Sequence, residues 1–111
     1  MGKLSIGQVV LASFPFSNLA NQKLRPCLVI GIAEFGDIIL CQITSQRYSS
    51  KRAISLQATD FATGSIAVAS YIRPDKIATL DMSMINRSLG TLTEPKLREI
   101  KLQLKAVFEI S

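Results

Sequence analysis

Cys27-Leu28-Val29-Ile30-Gly31-Ile32, then Ala33-Glu34-Phe35-Gly36-Asp37, then Ile38-Ile39-Leu40-Cys41-Gln42-Ile43-Thr44 is the stretch that decides the fold. Two short, nearly continuous apolar runs flank a segment with turn chemistry, which predicts a hairpin of strands over 27–32 and 38–44. Apolar runs without polar alternation belong to strands covered on both faces. The connection is longer than the tightest hairpin turns. Working outward, residues 7–14 (GQVVLASF) form a first strand ended by Pro15, and 15–24 (PFSNLANQKL) form a polar loop without acids. Beyond the hairpin, 45–51 (SQRYSSK) is a second polar, basic loop, 53–57 a short strand and 65–72 (SIAVASYI) a longer one. Arg73-Pro74-Asp75-Lys76 is a turn or a strand interrupted by its proline. Residues 77–80 continue extended, and 81–90 (DMSMINRSLG) hold one helical turn stopped by Gly90.

The last segment is a helix. Thr93 caps it, Glu94 suits the positive end of its dipole and Pro95 fits the first turn. Leu97, Ile100, Leu104, Val107 and Phe108 recur at three- and four-residue spacing as one apolar stripe, while Lys96, Arg98, Lys101 and Lys105 take the other faces. The whole reads as one domain over 1–111: mainly β within the α+β class, a small antiparallel barrel of five or six strands closed by a C-terminal helix. The helical stripe is core or a dimer face.

Composition narrows the function. The chain has 111 residues, 48% hydrophobic and 19% charged, so it has the means to bury a core of its own. Thirteen Lys/Arg against eight Asp/Glu leave +5, which favours a polyanionic partner. There is no histidine, which removes the usual neutral-pH acid–base residue, histidine metal sites and Ser-His or Cys-His pairs. Two cysteines, Cys27 and Cys41, are too few for a disulfide framework or a structural zinc site. No signal-peptide pattern opens the chain, and no apolar run approaches the roughly 20 residues that span a bilayer. The expectation is a soluble cytoplasmic protein with reduced thiols, no membrane partner and no cofactor.

Three groups of residues offer chemistry. Arg25 and Thr44, with Ser45, fall at the same end of the predicted hairpin. A guanidinium fork grips phosphate oxygens in pairs, and a hydroxyl orients the same group. A surface ion pair and a strand threonine are the plainer account of those residues. Asp75 is a proton acceptor in a chain without histidine, although Pro then Asp also suits a type I turn, and Arg73 and Lys76 tend to lower its pKa. The stretch from Gln46 through Arg47, Tyr48 and Lys51 to Arg52 interleaves cations with an aromatic, as single-stranded nucleic acid binding requires; any solvated loop shares that composition.

Taken in order, these pieces resemble the MazF/PemK (Kid-like) toxins of type II toxin–antitoxin systems. The resemblance rests on Gly7-Gln8-Val9-Val10-Leu11 with Phe14-Pro15-Phe16-Ser17, and on Lys23-Leu24-Arg25-Pro26-Cys27-Leu28-Val29-Ile30. Ile43-Thr44-Ser45, the run from Ile72-Arg73-Pro74-Asp75-Lys76-Ile77 to Thr79-Leu80-Asp81, and Leu89-Gly90-Thr91-Leu92 with the helix complete it. It implies an SH3-like barrel and a homodimer that cleaves single-stranded RNA without metal, using the RNA 2′-hydroxyl as nucleophile. A cognate antitoxin with an acidic C-terminal segment would hold it inactive. Carried over, Arg25 stabilises the charged transition state, Thr44 and Ser45 orient the phosphate, and Arg73 and Asp75 match an acid/base pair. Phe16, Ser17, Asn18, Lys23, Gln46, Arg47, Tyr48, Lys51 and Arg52 are the expected RNA contacts. The chain departs from the pattern at Leu19, where one branch has histidine, and at Pro74. The alternative is a non-catalytic protein- or nucleic-acid-binding module on the same fold, as in the related gyrase poisons, or a toxin whose activity has decayed.

Overall fold

A computed structural model describes residues 3–13, 23–46 and 50–109. Its strands are β1 (Gln8–Ala12), β2 (Arg25–Ile32), β3 (Asp37–Thr44), β4 (Ile54–Leu56), β5 (Phe61–Gly64), β6 (Ser70–Asp81) and β7 (Ile85–Leu92), followed by helix α1 (Glu94–Phe108). They form one seven-stranded sheet in the order β4-β6-β3-β2-β1-β7-β5, with every pairing antiparallel. The central hairpin pairs Leu28 with Cys41 and Cys27 with Gln42. Its turn has positive φ at Phe35 (61°) and Gly36 (79°). That is the mirror-image turn whose twist suits antiparallel strands.

Both faces of the hairpin are buried, as its unbroken apolar runs require. On one face Val10, Cys27, Val29, Ile38 and Leu40 pack with Leu80 and Ile85. Those last two come from β6 and β7, which flank β3 and β1 and are joined by a short 3₁₀ turn, Met82–Met84. The sheet thereby curls round this cluster as a half-barrel. On the other face Val9, Leu28, Cys41, Ile43, Ile72 and Leu92 form a second cluster that Ile100 of α1 closes. The helix begins as its sequence dictates: the Lys96 N–H donates to Thr93 Oγ1 at 3.4 Å. Lys96 Nζ then donates to the Ser55 carbonyl at 3.0 Å, tying α1 to β4.

Four expectations change. The sheet has seven strands rather than five or six, because residues 61–64 and 85–92 both pair. Residues 65–69 are not strand: Gly64 turns the chain at φ 70°, and pairing resumes only where Ser70 meets Leu56. Asp81 caps the Met82–Met84 turn, and Gly90 lies within β7 instead of stopping a helix. Gly90 faces Gly64 across β5 and β7, where a Cβ on Gly64 would collide with the Leu89 carbonyl oxygen. Close strand approach is therefore what this glycine serves. Finally, the apolar stripe of α1 stops packing at its last turn, leaving Phe108 65% exposed.

Candidate active-site groove

The site is built where β2 begins and β3 ends. Carried two places past the Cys27–Gln42 pair, the antiparallel register sets Arg25 opposite Thr44. Arg25 is exposed, and Thr44 is half-buried and paired with Tyr71 of β6. Thr44 Oγ1 accepts the Gln46 N–H at 3.1 Å, which turns the chain out of β3 and fixes the hydroxyl. That bond uses a lone pair, so the hydroxyl proton stays available for donation.

These strand ends open on a groove of about 630 Å³. Arg25, Thr44, Ser45 and Gln46 line it, together with Lys76 of β6 and Arg87 of β7. The groove's lining continues with segment 65–68 and Leu89, none of them charged. Its described lining holds Arg25, Lys76 and Arg87 and not one carboxylate. A cleft of one sign with low-dielectric walls focuses its field and concentrates anions.

Asp75 and Arg73 stand beside the groove rather than in its lining. The β3–β6 register jumps from the Cys41–Ile77 pair to the Gln42–Arg73 pair, so Pro74, Asp75 and Lys76 bulge out of the ladder. Proline has no N–H to give a ladder, and a bulge is where a sheet tolerates it. Of the two sequence readings, the strand with a proline interruption is the observed one. Within the bulge Arg73 Nη2 donates to Asp75 Oδ2 at 3.5 Å, the arginine half-buried and the aspartate exposed. The same bulge brings Lys76 to the groove.

Other predicted residues are spread more widely. Lys23 is exposed just before β2, and Lys51 is exposed at the end of the second loop. Arg52 turns to the helix, donating from Nη1 to Gln103 Oε1 at 3.5 Å. None of these three lines the groove. Phe16, Ser17, Asn18, Arg47 and Tyr48 lie outside the described residues. Sequence reasoning missed Arg87 as a groove cation because its segment reads as a helical turn, and missed 65–68 as a wall because those residues read as strand. Lys76 was within reach: it belongs to a quoted motif, but only a bulge turns it toward Arg25.

The cysteines and the acidic side chains bear on other chemistries. Burial pushes the Cys27 thiol up to about 12, and Cys41 higher still, with Cys27 and the Asp75 carboxylate adding to the effect of burial. Neither is a nucleophile at neutral pH. Among the described residues no three His, Cys, Asp or Glu side chains gather as a metal site.

A curled antiparallel sheet with a C-terminal helix and a basic groove at its strand ends defines a small half-barrel protein with an anion-attracting cleft. The chain belongs to the PemK-like, MazF-like toxins of type II toxin–antitoxin systems, whose family model matches residues 5–108. Among solved structures it is similar to a MazE–MazF complex from Deinococcus radiodurans, at TM-score 0.75 and 22% identity over 97% of this chain and 98% of that one. It is similar to a mycobacterial endoribonuclease in complex with its cognate antitoxin, at TM-score 0.73 and 18% identity over 95% and 94% of the two chains. The Mycobacterium tuberculosis toxin MazF-mt6 gives TM-score 0.74 and 14% identity, over 94% and 98%. A sequence search of curated proteins finds no match.

Proposed function

We propose that this chain is an endoribonuclease toxin that cleaves single-stranded RNA at specific sites, without a metal, by attack of the RNA 2′-hydroxyl. It acts as a homodimer, and a cognate antitoxin silences it by laying an acidic segment in the same groove. The observation that carries this reading is a groove whose described lining has Arg25, Lys76 and Arg87 and no carboxylate, together with Thr44 and Ser45. Family membership and likeness to an endoribonuclease bound to its antitoxin support it.

In the reaction the 2′-oxygen bonds to the adjacent phosphorus and the bond from phosphorus to O5′ breaks. The products are a 2′,3′-cyclic phosphate and a free 5′-hydroxyl. The nucleophile loses a proton, the leaving oxygen gains one, and no water is consumed. Arg25 presents paired N–H donors to the phosphate oxygens as their charge grows. Thr44, its hydroxyl fixed by the Gln46 N–H, donates to the same phosphate. Asp75 takes the 2′ proton and Arg73, paired with it at 3.5 Å, completes the acid/base pair.

The test is to incubate the purified protein with a mixed single-stranded RNA pool in EDTA and to map the cut ends. Cyclic phosphates and 5′-hydroxyls are the expected products. Cleavage that needs added divalent metal would overturn the mechanism. Binding without cleavage would make the chain an interaction module instead.

A further inference from the structure

The groove lining is of two chemical kinds. Arg25, Lys76 and Arg87 carry charge, and segment 65–68 carries none. We infer that segment 65–68 is the base-recognition wall: it seats one nucleobase of a bound single-stranded RNA and reads its edge through main-chain amides. This rests on the ribonuclease reading above and adds to it the surface that selects where the chain is cut.

The segment has a fixed shape although it belongs to no strand. At its start the Ser65 N–H donates to the Leu89 carbonyl at 3.2 Å. At its end the Ser70 hydroxyl donates to the Val68 carbonyl at 2.9 Å. Ser70 is the one buried polar side chain among the described residues, only 4% exposed. Ile66 packs on the second core cluster and anchors the middle. The result is a shelf on which Ala67 is exposed and Val68 is 60% exposed, a large apolar side chain facing solvent.

Three of its main-chain donors are unused. Among the described residues the amides of Ile66, Ala67 and Val68 donate to no carbonyl or side chain. A donor lining a cleft needs an acceptor from water or ligand. Phosphate oxygens have a better place at Arg25, Lys76 and Arg87, where each contact is charge-assisted. A nucleobase suits the uncharged segment, with an apolar face for Val68 and acceptors on its edge for the amides. The volume, about 630 Å³, is ample. Ligand clefts run from roughly 300 to 1,000 Å³.

The experiment uses a randomised single-stranded pool in two forms. In one, cleavage products are sequenced to give the base preference at each position around the cut. In the other, a 2′-deoxy pool that cannot be cut is selected for binding, which reports preference whether or not the protein is a nuclease. The protein is compared with Val68→Ala, an exposed change, and with Val68→Asp, which adds a charge that repels RNA. We expect the wild-type chain to prefer one base at one position. Val68→Ala should reduce that preference about tenfold there and nowhere else, the effect of removing small apolar groups from a specificity surface. Val68→Asp should abolish it. A wild-type chain with no base preference in the 2′-deoxy pool, or variants with unchanged preference, would overturn the proposal. Absence of cleavage with an intact, Val68-dependent preference would overturn only the nuclease reading.

Discussion

Salt dependence of RNA binding can be worked out from the groove lining. Each phosphate that a cation neutralises on a single strand contributes about −0.7 to the slope of log K against log salt. The groove offers three described cations, Arg25, Lys76 and Arg87. Three contacts give a slope of about −2, or roughly a 20-fold loss of affinity between 50 and 200 mM salt. Removing one, by Arg87→Gln, should flatten the slope to about −1.4 and reduce that loss to about sevenfold. Lys101→Gln, an exposed change on α1 outside the groove, serves as the control and should leave the slope alone. The assay is fluorescence anisotropy of a short 2′-O-methyl RNA, which cannot be cleaved, titrated at several salt concentrations. A slope near zero, or equal changes for Arg87→Gln and Lys101→Gln, would refute the assignment of this groove to RNA.

Ile100→Ala removes three carbons from a fully buried side chain between helix and sheet. At about 0.8 kcal/mol per carbon plus a cavity term, it should cost about 3 kcal/mol in chemical denaturation; less than about 1 would mean that α1 is not docked on the second cluster. Cys27 and Cys41 should resist iodoacetamide at pH 8 in the native protein and react once it is unfolded, since burial holds Cys27 up to about 12 and Cys41 above that. Because the folded thiols have the raised pKa, the unfolded chain loses protons first, so stability should fall as pH rises above about 8.5. Native labelling at pH 8 would contradict both statements. Asp75→Asn separates two roles: a base predicts a large loss of cleavage rate with an unchanged melting temperature, and a bulge-stabilising partner of Arg73 predicts the reverse.

The legible parts of this fold are those whose information is local. The hairpin of β2 and β3 and the Thr93 cap of α1 each follow from a few adjacent residues, and both stand where the sequence puts them. Arg25 and Thr44 are also legible, because an antiparallel register alone brings strand start and strand end together. What escaped depends on distant contacts. Residues 65–69 have strand-like composition, but Gly64 has to meet Gly90 at a spacing that excludes a side chain, and the chain leaves the sheet there. Arg87 enters the groove only because β7 pairs with β1, with Leu11 opposite Arg87. Lys76 enters through a bulge that Pro74 permits, and no periodicity announces a bulge.

The central claim is that Arg25, opposite Thr44, stabilises the phosphate during transesterification. Its most direct test is the single-turnover cleavage rate of one RNA substrate in EDTA by the wild-type chain and by Arg25→Ala. Circular dichroism and thermal melting would confirm that the variant keeps its fold, which an exposed position at the start of β2 leads us to expect. Loss of one preorganised donor to developing charge costs about 100- to 1,000-fold, and that is the predicted drop. An Arg25→Ala protein that cleaves at the wild-type rate would contradict the account.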